Sequence, residues 1–167
     1  MADHDAIQSL AAALVAELSE SGKAVASAES CTGGWLAKAI TDIPGSSAVF
    51  GYGIVSYSNG AKESLIGVQN KTLEDHGSVS AEVVTEMAKG TLRLSGADIA
   101  VAISGVAGPD GGTKEKPVGT VWFGWAVRNG TNAKVDTRCE RFTGDRELIR
   151  EASVAYALQG VRERIGS

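Results

Sequence analysis

A chain of 167 residues with 43% hydrophobic residues is long enough to bury one core and too short for two comfortable domains. We therefore expect a single domain over residues 1–167. The formal net charge of −4 and the lack of a basic run argue against binding of nucleic acid. The composition favours a small molecule or a protein as the partner.

The cysteines and the apolar runs exclude further classes of protein. Cys31 and Cys139 have no second cysteine or histidine at ligand spacing, so the sequence predicts neither a zinc site nor a disulfide framework. No apolar stretch approaches the roughly 20 residues that a membrane span needs, and the N-terminus is acidic where a signal peptide would be basic. We expect a cytoplasmic protein without membrane contact.

The first predicted element is an amphipathic helix over residues 7–18, which ends at Ser21-Gly22. A short apolar strand over residues 23–29 follows it. The strand leads into the segment ESCTGG, residues 29–34, and the next stretch, residues 35–43, has a helical composition. The segment ESCTGG is therefore expected at a strand-to-helix turn.

A second strand, rich in β-branched and aromatic residues, is predicted over residues 48–58, and we expect Asn59-Gly60 to close it with a turn. Ser80 then caps a helix that runs to about Ser95-Gly96. The remaining elements are a buried strand, a loop rich in glycine and proline, two adjacent strands and a last helix that starts at Gly144-Asp145; their ranges are 97–105, 106–117, 118–127, 133–142 and 144–161.

This alternation predicts an α/β fold, a three-layer α/β/α sandwich with a mixed, mostly parallel sheet and an antiparallel edge. In such sheets ligands bind at the carboxyl ends of the strands. The Ser30 turn, residues 57–62 and residues 105–117 all follow predicted strands. We expect these three loops to share one cleft.

Ser30 is a candidate nucleophile, but a serine hydroxyl needs a base before it can attack. No histidine lies in the neighbouring motifs, and a lysine of lowered pKa can take that role. Lys62 is one candidate, and Tyr57 could relay the proton or orient the two side chains. Backbone N–H groups of the turn would supply an oxyanion hole or a phosphate cradle, namely those of Thr32, Gly33 and Gly34.

Each of these residues also has a simpler interpretation. A Ser/Thr-Gly-Gly turn before a helix is more often a cap than a catalytic site. Tyr57 could be a packing residue, and a lysine after an Asn-Gly turn is usually solvated. Cys31 competes with Ser30 as the nucleophile, although a small buried hydrophobe is the preferred interpretation. Glu29 could equally be a structural acid or a polarising group. From spacing alone, the sequence predicts an anion-binding cleft.

Five long stretches resemble the C-terminal domain of the competence/damage-inducible CinA family, and in particular its stand-alone nicotinamide-nucleotide amidohydrolases. They are AESCTGGWLAKAITDIPGSS, VSYSNGAKESLIGV, HGSVSAEVVTEMAKG, ISGVAGPDGGTKEKPVGTVW and FTGDRELIREASVAYAL. The resemblance implies hydrolysis of the carboxamide of nicotinamide mononucleotide (NMN) to nicotinic acid mononucleotide and ammonia. Longer members carry a further N-terminal domain that resembles molybdopterin-binding proteins, and its activity is not expected here.

Carried over by position, the resemblance implies that Ser30 is the nucleophile and that Tyr57 and Lys62 assist it. The scheme requires no metal and no cofactor. For the ribose phosphate of the substrate we hypothesise a pocket made by the loop after the buried strand and by the last helix, with Ser104, Gly105, Gly108 and Arg146.

Two other functions stay open at this point. The first is a non-catalytic nucleotide- or partner-binding module that uses the glycine-rich turns as anion sites. The second is hydrolysis of a related amide such as nicotinamide itself. A homo-oligomer is also expected, because the apolar strand TVWFGWAV with Trp122 and Trp125 could form an interface, although a place in the core is the commoner outcome for both tryptophans.

Overall fold

The computed structural model describes residues 4–166. Helices and strands alternate through the first two thirds of that range, and two strands follow one another before the last helix. The elements in chain order are α1 (His4–Ser21), β1 (Val25–Glu29), α2 (Trp35–Thr41), a 3-10 turn (Ser46–Ala48), β2 (Phe50–Val55), α3 (Asn59–Ile66), α4 (Asn70–His76), α5 (Ala81–Ser95), β3 (Ile99–Gly105), β4 (Thr120–Asn129), β5 (Asn132–Arg141) and α6 (Arg146–Arg162).

The five strands form one sheet in the order β2-β1-β3-β4-β5. β2, β1 and β3 are parallel to one another, and β4 and β5 extend the sheet in antiparallel pairs. Glu29 at the end of β1 pairs with Val55 of β2 and with Ile103 of β3, so the carboxyl ends of the three parallel strands are level. The loops that follow these strands therefore leave the sheet at one edge.

Helices cover both faces of the sheet, which confirms the predicted three-layer sandwich. On one face, α1, α2 and α6 enclose a core with Leu14, Leu36 and Leu158. On the other face, α3, α4 and α5 enclose a second core with Ile66, Leu73 and Met87. β1 and β3 lie between the two layers and are almost entirely buried, as central parallel strands are.

One predicted turn is wrong, and the error concerns the candidate site. Asn59-Gly60 does not close β2 with a turn; these residues are the first two of α3. Ser58 is the N-cap, and its Oγ accepts a hydrogen bond of 3.0 Å from the Ala61 N–H. This cap overrides the turn preference of Asn-Gly because it satisfies one of the free donors of the helix.

The helical conformation turns Lys62 inward. Lys62 and Ile66 are four residues apart and lie on the same face of α3, which is packed against the sheet layer, and both are buried. The sequence predicted neither α3 nor α4.

Of the two tryptophans in β4, Trp125 is a core residue with 1% exposure, and its ring stacks on Phe123 at a centroid distance of 5.7 Å. Trp122 is half-buried against the second core. The homo-oligomer stays a prediction. Between residues 4 and 166, no helix is both long enough and apolar enough to cross a bilayer.

Candidate active site

Ser30 and Lys62 meet at the carboxyl edge of the parallel strands. The Ser30 N–H donates to the Ile103 carbonyl at 2.9 Å, and the Ser56 N–H donates to the Glu29 carbonyl at 2.9 Å. These bonds continue the sheet pairing past the strand ends, so both loops start from fixed positions. Lys62 Nζ then reaches back from α3 to within 3.0 Å of Ser30 Oγ.

The amine of Lys62 is buried among uncharged oxygens. The residue is 1% exposed, and besides Ser30 Oγ its Nζ contacts the carbonyls of Ser56 at 2.9 Å and Tyr57 at 3.1 Å. Burial penalises the charged form, so the pKa of Lys62 is lowered from its ordinary value. A lysine with a lowered pKa is able to accept a proton at a pH where a solvated lysine is fully charged.

Tyr57 contacts this pair through its backbone, whereas its side chain points elsewhere. The Tyr57 carbonyl lies 3.3 Å from Ser30 Oγ and accepts from Lys62 Nζ. The phenol is largely exposed, and its oxygen accepts a 3.2 Å hydrogen bond from Arg146 Nη2. The Tyr57 hydroxyl thus lies with Arg146, and it is the Tyr57 carbonyl that contacts both Ser30 Oγ and Lys62 Nζ.

Glu29 is a structural acid in this fold. It is fully buried, and its two carboxylate oxygens accept from the N–H groups of Leu36 at 2.8 Å and Ala37 at 3.1 Å. Carboxylate oxygens are good acceptors for the first free N–H groups of a helix. Glu29 thus ties the end of β1 to the start of α2 and fixes both ends of the Ser30 turn.

Cys31 is unsuited to nucleophilic attack. Its side chain belongs to the first core, and burial raises the pKa of the thiol to about 11. The thiolate is the reactive form of cysteine, so a buried thiol of that pKa is inert at neutral pH. This agrees with the preferred interpretation of Cys31 as a small buried hydrophobe.

The three predicted oxyanion residues differ in what their N–H groups can do. Thr32 is fully buried, and the Gly33 N–H already donates to the Ser30 carbonyl at 3.0 Å. The Gly34 N–H has no acceptor within residues 4–166, and Gly34 is only half-buried. Gly33 and Gly34 have φ angles of 58° and 102°, which a residue with a side chain rarely adopts. Gly34 is therefore the accessible free donor of the turn.

Arg146 joins two of the loops that follow the parallel strands. It stands at the start of α6, where Nη2 contacts Tyr57 Oη and Nη1 donates to the Gly108 carbonyl at 2.6 Å. No carboxylate within residues 4–166 forms an ion pair with Arg146. Its charge is available to an anion that enters the cleft.

The other predicted substrate-binding residues are engaged in packing. Ser104 is 1% exposed, and its Oγ donates to the Ser78 carbonyl at 2.7 Å. A Cβ on Gly105 would lie 2.7 Å from Val121 Cγ2, so only glycine permits the close approach of β3 and β4 there. These contacts leave Gly108 and Arg146 as the predicted substrate-binding residues that lie beside Tyr57.

Sequence reasoning missed Arg150, which lies on α6 and contacts the Ser30 turn. Its Nε donates to the Cys31 carbonyl at 3.0 Å and its Nη2 to the Thr32 carbonyl at 3.1 Å. The only signal in the sequence was its spacing of four residues from Arg146, which places both arginines on one helix face. Among residues 4–166 there is no cluster of three or more His, Cys, Asp and Glu side chains that could hold a metal ion.

Comparison with known proteins places this arrangement in a family. A family model described as the CinA C-terminal domain matches residues 7–165. The chain is 59% identical over 138 residues to the nicotinamide-nucleotide amidohydrolase PncC of Escherichia coli K12, which covers 83% of this chain and 82% of that protein. It is 53% identical over 146 residues to a CinA-like protein of Geotalea uraniireducens, covering 87% of this chain and 34% of that protein.

Solved structures show the same architecture. The competence/damage inducible protein CihA of Agrobacterium tumefaciens superposes with a TM-score of 0.92 at 40% identity, covering 97% of this chain and 96% of that chain. A CinA superfamily protein from Klebsiella pneumoniae superposes with a TM-score of 0.90 at 39% identity, covering 96% and 98%. Both folds agree with the mixed five-stranded sheet between two helical layers.

Proposed function

The chain belongs to the CinA C-terminal domain family, and from this premise we propose that it hydrolyses the carboxamide of NMN, with Ser30 as nucleophile and Lys62 as base. The observation that carries the mechanism is the 3.0 Å contact between Ser30 Oγ and the buried Lys62 Nζ. The names of the PncC relatives, at 54% to 59% identity, support the activity.

The surroundings of Lys62 suit a neutral amine. A neutral amine has two N–H groups and one lone pair, and the carbonyls of Ser56 and Tyr57 are two acceptors that can take both N–H groups. The lone pair of the neutral amine is then directed at the third contact, where in the structure Nζ donates to Ser30 Oγ and Ser30 Oγ donates to the Tyr57 carbonyl. In this state Ser30 donates its proton to Lys62 as its oxygen attacks, which is how a general base activates a serine.

The reaction proceeds in two steps through an acyl-enzyme. Ser30 Oγ bonds to the carboxamide carbon while Lys62 Nζ takes the hydroxyl proton; the C–N bond then breaks, and the proton returns to the departing nitrogen, which leaves as ammonia. Water, deprotonated by Lys62, next cleaves the ester and releases the nicotinate nucleotide and free Ser30. The Gly34 N–H is the donor proposed for the oxyanion in both steps.

Arg146 is the residue proposed to recognise the phosphate of the nucleotide. Its guanidinium is held at the cleft mouth by Gly108 and Tyr57, and neither contact neutralises its charge. An arginine presents several donors in a planar fork that suits phosphate oxygens. This assignment favours NMN over nicotinamide itself, which has no anionic group.

The second candidate function is a nucleotide- or partner-binding module without catalysis. The free Gly34 N–H and Arg146 favour it, because both would hold an anion whether or not Ser30 reacts. The buried Lys62 argues for the enzyme, since burying an amine costs free energy that a simple binding site does not require. A cytoplasmic location and a homo-oligomer stay predictions in either case.

Ammonia release from NMN tests the two functions. Purified wild-type protein and Ser30→Ala are assayed without added metal and again with a chelator. If the protein is the proposed enzyme, the wild type releases ammonia with and without the chelator, and Ser30→Ala releases none. Wild-type protein that binds NMN, seen by calorimetry, and releases no ammonia would establish the binding module instead.

A further inference from the structure

Arg150 lies on α6, one turn beyond Arg146, and contacts the Ser30 turn from the side of the first core. Its two hydrogen bonds go to consecutive carbonyls, from Nε to Cys31 and from Nη2 to Thr32. The guanidinium also lies over the Trp35 ring, 5.6 Å from its centroid. Three separate contacts therefore hold this side chain, although it is only half-buried.

Fixing two carbonyls fixes the peptide planes of the turn. In a trans peptide the C=O and the following N–H point in opposite directions. A guanidinium on the Cys31 and Thr32 carbonyls therefore directs the N–H groups of Thr32 and Gly33 away from α6. The Thr32 carbonyl also accepts from the Trp35 N–H at 3.0 Å, which links the same plane to the start of α2.

The turn needs such a constraint because two glycines follow Thr32. Glycine has access to more backbone conformations than any other residue, so a Gly-Gly pair at positive φ has little stiffness of its own. Beyond Arg150, residues 30–35 are held by backbone hydrogen bonds and by the Glu29 cap at their edge; the backbone bonds involve the N–H groups of Ser30, Gly33 and Trp35 and the Gly34 carbonyl. Arg150 is the one side chain within residues 4–166 that donates to carbonyls inside the turn.

We infer that Arg150 is a positioning residue of the active site: by holding the Cys31 and Thr32 carbonyls it fixes the turn in which Ser30 Oγ faces Lys62. The catalytic part of this inference rests on the proposed function. Arg150 touches neither Ser30 Oγ nor Lys62 Nζ, so it acts through the backbone alone.

The chemistry of the contact predicts which substitution can replace it. A guanidinium presents donors in a rigid fork and spans two neighbouring carbonyls, whereas a lysine ammonium is a point charge on a flexible stem. Arg150→Lys should therefore reach one carbonyl at a time and restore part of the effect. Arg150→Met keeps much of the apolar stem on Trp35 and removes both hydrogen bonds.

The kinetic test compares Arg150→Met and Arg150→Lys with Arg93→Met, which removes an exposed guanidinium from α5. We expect Arg150→Met to lower kcat for NMN about 10- to 100-fold, as a small misplacement of a nucleophile does, with KM nearly unchanged. Arg150→Lys should fall between Arg150→Met and wild type. A kcat of Arg150→Met equal to that of Arg93→Met overturns the inference.

Hydrogen exchange of the peptide that covers residues 30–36 separates this inference from the proposed function. Faster exchange there in Arg150→Met, with the exchange of β3 and α5 unchanged, is the expected result. If the wild type releases no ammonia, the proposed function fails, while the positioning role is still decided by this exchange. Exchange in residues 30–36 equal to that of wild type overturns the positioning role whatever the activity.

Discussion

Lys62 Nζ lies 3.0 Å from Ser30 Oγ, and no acidic side chain within residues 4–166 pairs with this lysine. Its remaining contacts are two backbone carbonyls, which accept hydrogen bonds and carry no net charge. The charged form is therefore poorly compensated, and burial lowers the pKa of the amine. Four predictions follow from this pair and its neighbours.

Replacing the base should remove the activity and leave the fold. Lys62→Met keeps the length of the stem and removes the amine, so we expect kcat for NMN to fall by about 10²- to 10⁴-fold, the range of general-base catalysis. Lys71→Met, at an exposed position on α4, is the matched control. Thermal melting monitors the fold of both variants. A wild-type kcat in folded Lys62→Met would contradict the role of Lys62.

The stability of the wild type should depend on pH in a way that Lys62→Met does not share. The folded-state pKa of Lys62 is lowered, whereas an unfolded lysine titrates at about 10.4. Between those two values the unfolded chain binds one more proton than the folded chain, so the free energy of unfolding rises with pH. Below the lowered pKa both states carry the proton and this dependence ends.

Urea unfolding of wild type and Lys62→Met over a series of pH values measures the difference. The wild type should gain stability relative to the variant as pH rises toward about 10.4, the unfolded-state pKa of lysine. Two parallel curves would show that the amine titrates alike in both states, which would contradict the lowered pKa.

The Tyr57 hydroxyl should be dispensable for the chemical step. Tyr57→Phe keeps the backbone carbonyl that contacts Ser30 and Lys62 and removes only the hydrogen bond from Arg146. We expect kcat to stay within about threefold of wild type, and KM for NMN to change because Arg146 loses one of its supports. A loss of kcat of about 100-fold or more would instead support a proton relay through the Tyr57 hydroxyl.

Cys31 should be neither reactive nor required for activity. Its thiol is buried with a pKa of about 11, whereas Cys139 on β5 is exposed. Iodoacetamide at pH 8 should therefore modify Cys139 and spare Cys31 in the folded protein, as mass spectrometry of the digested protein would show. Cys31→Ala should retain kcat, with Cys139→Ala as its control. Loss of ammonia release in Cys31→Ala but not in Cys139→Ala would indicate that the Cys31 thiol is the nucleophile.

The sequence predicted the layers of the fold because hydrophobic periodicity dominates long elements. α1, α5 and β4 each present a clear apolar pattern. The level carboxyl ends of β1, β2 and β3 then bring the predicted loops together without further information. The approach of residues 29–34 to residues 57–62 was therefore predictable from strand order.

The helical conformation at Lys62 was not predictable in the same way. Asn59-Gly60 has the composition of a turn, whereas the Ser58 cap, the packing of Ile66 and the Gly67 end favour a helix. The pKa of Lys62 depends on that helix, since a turn would have left the amine in solvent. The contact of Arg150 with Cys31 and Thr32 spans more than 100 residues of chain and has no local signature.

Because the carbonyl partners of Lys62 carry no net charge, added salt should affect the proposed proton transfer and the binding of the nucleotide differently. Screening by ions acts between net charges and is strongest in solvent, with a Debye length of about 8 Å at 0.15 M ionic strength, whereas Lys62 Nζ is buried against two uncharged carbonyls. Arg146 at the cleft mouth offers a full charge to an incoming phosphate. We therefore expect added salt to weaken the proposed binding of the nucleotide phosphate by Arg146 more than the proposed proton transfer from Ser30 to Lys62.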